Sequence, residues 1–108
     1  MQWQPSEKKV ARRAFELALG RELAEVIQEA KDRAAKVVEA HELWELERWL
    51  TQRRKEIDSD YEYRYSLLLF IFARLLREGR IQEDDLRGLG PDKLEVIRRI
   101  LAPRESCK

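Results

Sequence analysis

The chain has one histidine, His41, and one cysteine, Cys107, the side-chain types best suited to nucleophilic, acid–base or metal chemistry near neutral pH. One of each leaves no Cys–His dyad, no Ser–His–Asp set and no cluster of metal ligands. A lone cysteine one residue from the end builds neither an internal disulfide framework nor a zinc site. Asp84 and Asp85 stand where a short helix should start, so they read as partners of the helix dipole rather than as a catalytic pair. There is no glycine-rich phosphate loop. The sequence predicts a protein that is not an enzyme and needs no metal or cofactor.

The residues that remain are suited to recognition. With about 100° per residue and Leu43 set at zero, Trp44, Glu47, Arg48, Thr51, Arg54 and Lys55 fall between roughly 20° and 140°, away from an apolar stripe at about 240° to 360°. Trp44 either packs on a neighbouring helix or dimer mate, or it is the centre of a Trp- and Arg-rich contact patch. On the next helix, Tyr61, Tyr65, Leu68, Phe72, Leu75 and Leu76 share one core direction. Phe70 lies opposite, among Tyr63, Arg74 and Arg77, which suggests a second contact surface. A tight Gly88-Leu89-Gly90-Pro91 turn evokes a helix-turn-helix. The helix after it offers only Lys93, Arg98 and Arg99 as basic groups, beside Asp92 and Glu95. A net charge of +1 also argues against nucleic acid as the partner.

The elements that must hold these residues are helices. No Gly or Pro falls between Arg21 and Glu78. After Pro5 and an N-cap at Ser6, apolar residues recur at Val10, Ala14, Leu17 and Ala18. They continue at Leu23, Ile27, Ala30, Ala34 and Val37, spaced four, three, four and three as in a heptad seam. Glu29 with Arg33 and Asp32 with Lys36 flank the seam as ion pairs, and Gly20 marks a close contact or a bend. With no breaker between Val38 and Leu43, the seam either runs on through His41 as one rod or turns back as a hairpin.

A second helix spans about His41 to Ile57, with Leu43, Leu46, Leu50 and Ile57 on one stripe and Trp49 at its edge. Asp58-Ser59-Asp60 then breaks the chain, Ser59 or Asp60 capping a third helix that stops at Gly79. A short turn at Glu83–Arg87 follows, then a helix opened by Gly90-Pro91 and closed by Pro103, with the last residues frayed.

In a chain of 108 residues that is 40% charged, the exposed seam calls for self-association. The longest apolar run, Leu67 to Ala73, is far short of a membrane span, and the start of the chain lacks the apolar core of a signal peptide. The chain reads as cytoplasmic. The expected architecture is all-α: a single domain with a long helical dimerisation region over about 6–57 and a small helical head over about 60–101.

Leu43-Trp44, then Leu46, Arg54, Glu56-Ile57-Asp58, Tyr61, Phe70, Phe72-Ala73, Leu75-Leu76 and Glu78-Gly79 together resemble the fluorescence recovery protein family of cyanobacteria. The register holds without gaps from about Trp3 to Ile100 and is densest from Leu43 to Leu86. The resemblance implies an elongated helical homodimer whose long N-terminal helices form the seam, with Leu43 in it, and the heptad spacing puts Leu23, Ile27, Ala30 and Val37 at the same interface. It implies a non-enzymatic regulator that binds the orange carotenoid protein, chiefly its C-terminal domain. The regulator speeds the return of the photoactivated red form to the orange form, which ends quenching at the phycobilisome.

Peripheral placement at the cytoplasmic face of thylakoids goes with that role. The family's Trp, His, Asp and Arg patch beside the dimer seam matches here as Trp44 and Arg54. Glu47 stands where His is usual, and Arg48 stands where Asp is usual. Phe70, with Arg74 and Arg77 near it, falls in the head that contacts the carotenoid protein. The competing reading is a dimeric helical adaptor of the same fold with another protein partner.

Overall fold

The computed structural model describes residues 1–103, which form four α-helices and one 3₁₀ turn. Cys107 and the tail expected to fray lie outside the described residues. Helix α1 spans Pro5–Ala35, α2 Ala40–Asp60, α3 Tyr65–Arg77 and α4 Pro91–Leu101, with the 3₁₀ turn at Glu83–Leu86. The all-α expectation is met.

Helix α1 starts one residue before the expected cap at Ser6. Pro5 lacks an N–H and has a φ already fixed near helical, so it suits the first helical position. The Gln4 carbonyl accepts the Lys8 N–H at 3.0 Å, and the Glu7 carboxylate reaches back to the Gln4 N–H at 2.8 Å. Gly20 makes neither a break nor a close contact: α1 runs through it, and the space beside its Cα is open.

Contacts divide the chain into two units. The first joins residues 1–18 to 63–108. Ala11, Ala14, Phe15 and Ala18 of α1 are buried in it, so its inward strip is turned from the expected Val10–Leu17 line, and Leu17 is exposed. The rest of this interior is Leu68, Leu69, Phe72, Ala73 and Leu75 of α3, Ile81, Leu86 and Leu89 of the connection, and Ile97 of α4.

Helix α3 ends as its sequence predicts. Gly79 has φ +76°, the Arg80 N–H reaches the Leu75 carbonyl at 2.9 Å, and the Gly79 N–H reaches that of Leu76 at 3.1 Å, a complete Schellman motif. Gly88, at φ +111°, brings the next turn so near α1 that a Cβ there would sit 2.7 Å from the Val10 side chain.

The second unit is residues 19–62, the rest of α1 and all of α2. The chain breaks after Ala35 rather than continuing as a rod. Glu39 caps α2 in a reciprocal box with Glu42, whose side chain also takes the Val38 N–H at 3.1 Å. Two polar residues thus do the work that the missing Gly or Pro was expected to do. Val37, placed in the helical seam by spacing, lies in the link. Of the expected flanking pairs, Arg33 meets Glu29 at 2.7 Å, while Asp32 accepts from Gln28 instead of Lys36, which lies past the helix end.

The two helices of this unit run antiparallel. Glu22, buried, accepts from Arg53 at 3.0 Å and from the Tyr61 hydroxyl at 2.8 Å, and the Arg33 guanidinium sits 4.5 Å from the Trp49 ring centre. Glu22 and then Glu56 hold the Arg53 pKa above its ordinary value by hydrogen bonding to its charged form. Asp58-Ser59-Asp60 continues α2 instead of breaking it, and Arg64 precedes α3 in place of a Ser59 or Asp60 cap. Tyr61 therefore packs with Glu22 rather than on the core strip of α3.

Candidate functional site

Helix α2 presents its second face to solvent. Trp44 is 55% exposed, and Glu47, Arg48 and Arg54 are exposed beside it in the register of one helical face. None of these three charged groups makes a hydrogen bond or ion pair among the described residues. The contrast between adjacent arginines shows how the face is built. Arg53 is tied to Glu22 and Glu56, while Arg54, turned by 100°, is free for another molecule.

The apolar strip beside this face is also uncovered. Leu23, Ile27, Leu43 and Leu50 are exposed, Ile27 by 57%, and Ala30 and Val37 are half-buried. Only Ile57 and Tyr61 are buried apolar residues within 19–62, so the hairpin does not hide its own hydrophobic surface. His41 is exposed in the first turn of α2.

On the other unit, Phe70 is 61% exposed on α3, as the helical wheel suggested. Its surroundings differ from the expected ones. Trp3, Tyr65, Ser66, Leu69 and Val96 line the depression beside it, whereas Tyr63 precedes the helix and packs edge-on against Phe15, ring centres 4.9 Å apart. Arg74 leans toward Glu78 at 3.8 Å, and Arg77 donates to the Ile100 carbonyl at 3.5 Å. Tyr65, read as core, is exposed and meets Trp3 at a tilt of 46°, ring centres 5.3 Å apart.

Two clusters escaped the sequence reading. Lys93, counted there among the basic groups of a helix-turn-helix, is 2% exposed and bonds Glu7 at 3.1 Å and the Gln2 carbonyl. Glu7 also accepts the Gly90 N–H at 2.6 Å. The N–H groups of Gln4 and Gly90, with Lys93, hold the Glu7 carboxyl below its ordinary pKa. Lys93 thus clamps the starts of α1 and α4 and offers nothing to a phosphate. The second cluster, Lys8, Lys9, Arg12 and Arg13 with Tyr63 and Tyr65, lines an open groove. Its signal, four cations within six residues, was legible but unread.

No group of three or more His, Cys, Asp or Glu among the described residues is arranged to hold a metal. No described helix is long and apolar enough to cross a membrane.

A profile described as "Photoprotection regulator fluorescence recovery protein" matches residues 3–101. The chain belongs to the fluorescence recovery protein family. A fluorescence recovery protein of Synechocystis sp. is 34% identical over 96 residues, covering 89% of this chain and 88% of that one. The solved structure of the Fremyella diplosiphon fluorescence recovery protein is 39% identical, with a TM-score of 0.83 over 92% of this chain and 97% of its own. That of the Synechocystis protein is 33% identical, with a TM-score of 0.84 and the same coverage. The fluorescence recovery protein fold is thus present across nearly the whole described chain.

Proposed function

We propose that this chain binds the orange carotenoid protein, chiefly its C-terminal domain, and accelerates return of the red form to the orange form. Quenching at the phycobilisome then ends. The observation that carries this reading is Trp44, a large aromatic left 55% exposed amid Glu47, Arg48 and Arg54, none of which is paired among the described residues. A half-exposed Trp beside free Arg residues has the composition of an interface hot spot. Phe70, with Arg74 and Arg77 near it, forms a second contact on the other unit.

The chain works as a homodimer in the cytoplasm, peripheral to the thylakoid, and makes or breaks no covalent bond. Leu23, Ile27, Ala30, Val37 and Leu43 form its seam, because a second copy would cover the strip that the hairpin leaves wet. Acceleration comes from binding the transition path better than the red form; about 1.4 kcal/mol of such preference gives a tenfold rate.

The test is the recovery time of photoactivated orange carotenoid protein with and without the chain. A shortened recovery supports the reading, and an unchanged one overturns it. Arg48, opposite in charge to the family's usual Asp, favours one second reading: a dimeric adaptor of this fold with another partner. An orange carotenoid protein that recovers unaided, beside an intact dimer, points there.

A further inference from the structure

The basic groove on the first turns of α1 has no role in the function proposed so far. Lys8, Lys9, Arg12 and Arg13 stand at i, i+1, i+4 and i+5, on adjoining strips of one helix, and all are exposed. With Tyr63 and Tyr65 they line an open groove of about 690 Å³. Four cations are gathered here in a chain whose net charge is only +1.

Charge repulsion along the helix works against this arrangement. Lys8 with Arg12 and Lys9 with Arg13 are like charges four apart, which costs a helix a few tenths of a kcal/mol per pair. Glu16, the one acidic residue lining the groove among the described residues, lies 4.0 Å from Arg12 with both side chains more than half exposed, a weak pair. Lys9 and Arg13 have no partner among the described residues. Elsewhere the same molecule pairs its helix charges in the favourable sense, as in Glu29–Arg33 and Glu95–Arg99. An anionic partner would account for the concentration of charge that stability opposes.

The groove also has a built aromatic side. The Arg12 guanidinium lies 3.8 Å from the Tyr63 ring centre, and the Lys8 ammonium lies 5.4 Å from that of Tyr65. Stacking on the ring face leaves guanidinium N–H groups at the edge, where a carboxylate binds in bidentate fashion. Burial, with Tyr65 alongside, pushes the Tyr63 hydroxyl pKa above its ordinary value. Tyr65 lines both this groove and the depression beside Phe70, which makes the two surfaces continuous.

We propose that the contact surface at Phe70 extends across Tyr65 into this groove, and that the groove takes an acidic segment of the partner polypeptide. An apolar side chain beside that segment would cover Phe70. The inference rests on the partner reading proposed above. The groove is open and runs on through Tyr65 to the apolar depression at Phe70, so one polypeptide segment carrying carboxylates beside an apolar side chain covers both surfaces, and a protein segment is the occupant.

The experiment titrates the 108-residue chain with photoactivated orange carotenoid protein at low and high salt. Lys9→Glu/Arg13→Glu should weaken binding at low salt by about tenfold or more and flatten the salt dependence. Melting temperature and sedimentation should stay as in the parent. Lys9→Arg/Arg13→Lys should keep the affinity, and Lys9→Gln/Arg13→Gln, a milder variant in case charge reversal disturbs folding, should lose affinity in the same direction. If Phe70→Glu weakens binding while all groove variants match the parent, the groove inference is overturned and the partner reading stands. A parent that does not bind overturns both. Co-sedimentation with phosphatidylglycerol vesicles that charge reversal abolishes, with the protein complex unchanged, would give the groove to a membrane and overturn the inference as well.

Discussion

Trp44 and Arg48 sit one turn apart on the same open face of α2, yet they make different demands on an experiment. Truncating a buried Trp costs roughly 3 to 5 kcal/mol, most of it lost packing. Trp44 is over half exposed, so Trp44→Ala should cost no more than about 1 kcal/mol in urea melts while slowing orange carotenoid protein recovery. Arg48 has no ion pair to break among the described residues, so Arg48→Asp should leave the melt unchanged. If position 48 faces the proposed partner, recovery should quicken at low salt and the gain should shrink as salt screens the charge. An unchanged rate at low salt would remove this position from the contact.

Helix ends decide where these surfaces lie, and their chemistry is testable element by element. Gly79 occupies the left-handed position that stops α3, with open space around it, so Gly79→Ala meets conformational cost alone. That substitution should destabilise the chain by about 1 kcal/mol in chemical denaturation.

The starts of α1 and α2 depend on ionised carboxylates. Glu7 is held below its ordinary pKa of 4.5 by the N–H groups of Gln4 and Gly90, and Glu42 by those of Glu39 and Val38. A depressed folded-state value means that the unfolded chain binds protons first as pH falls. These carboxylates therefore contribute fully above about pH 4.5, and the contribution is lost as pH drops through the lower folded values. Melting temperature followed from neutral pH downward should be flat and then fall. Glu42→Gln should lower the plateau and lessen the acid slope.

For the whole molecule, the governing fact is that residues 19–62 bury little of their own apolar surface. The strip of Leu23, Ile27 and Leu43 stays in water in a single copy. Placing a charge in a covered seam leaves it unpaired and dehydrated, which a dimer tolerates poorly. Sedimentation at micromolar concentration should therefore show a dimer for the parent and a monomer for Leu43→Glu, with helix content retained. A parent that sediments as a monomer would dismiss the seam and leave the strip for another partner.

Local chemistry settled much of this protein in advance. With no Gly or Pro from Arg21 to Glu78 nothing in residue type forbade helix there, Gly79 marked the end of α3 and Gly90-Pro91 the start of α4, and the 100° arithmetic set Trp44 and Phe70 apart from the core stripes of their helices. These are properties of single residues and of one helix, and the sequence specifies them directly. Other features required the chain to fold back on itself. Capping by Glu39 and Glu42 turned a possible rod into a hairpin because side chains satisfied the freed N–H groups where no breaker stood. Glu22 meeting Arg53 and Tyr61, and Lys93 meeting Glu7 across 86 residues, depend on contacts that no periodicity encodes. Lys93 looked like a surface cation because its type predicts exposure. Tertiary packing reversed that by supplying a buried carboxylate, without which dehydrating the ammonium would be prohibitive.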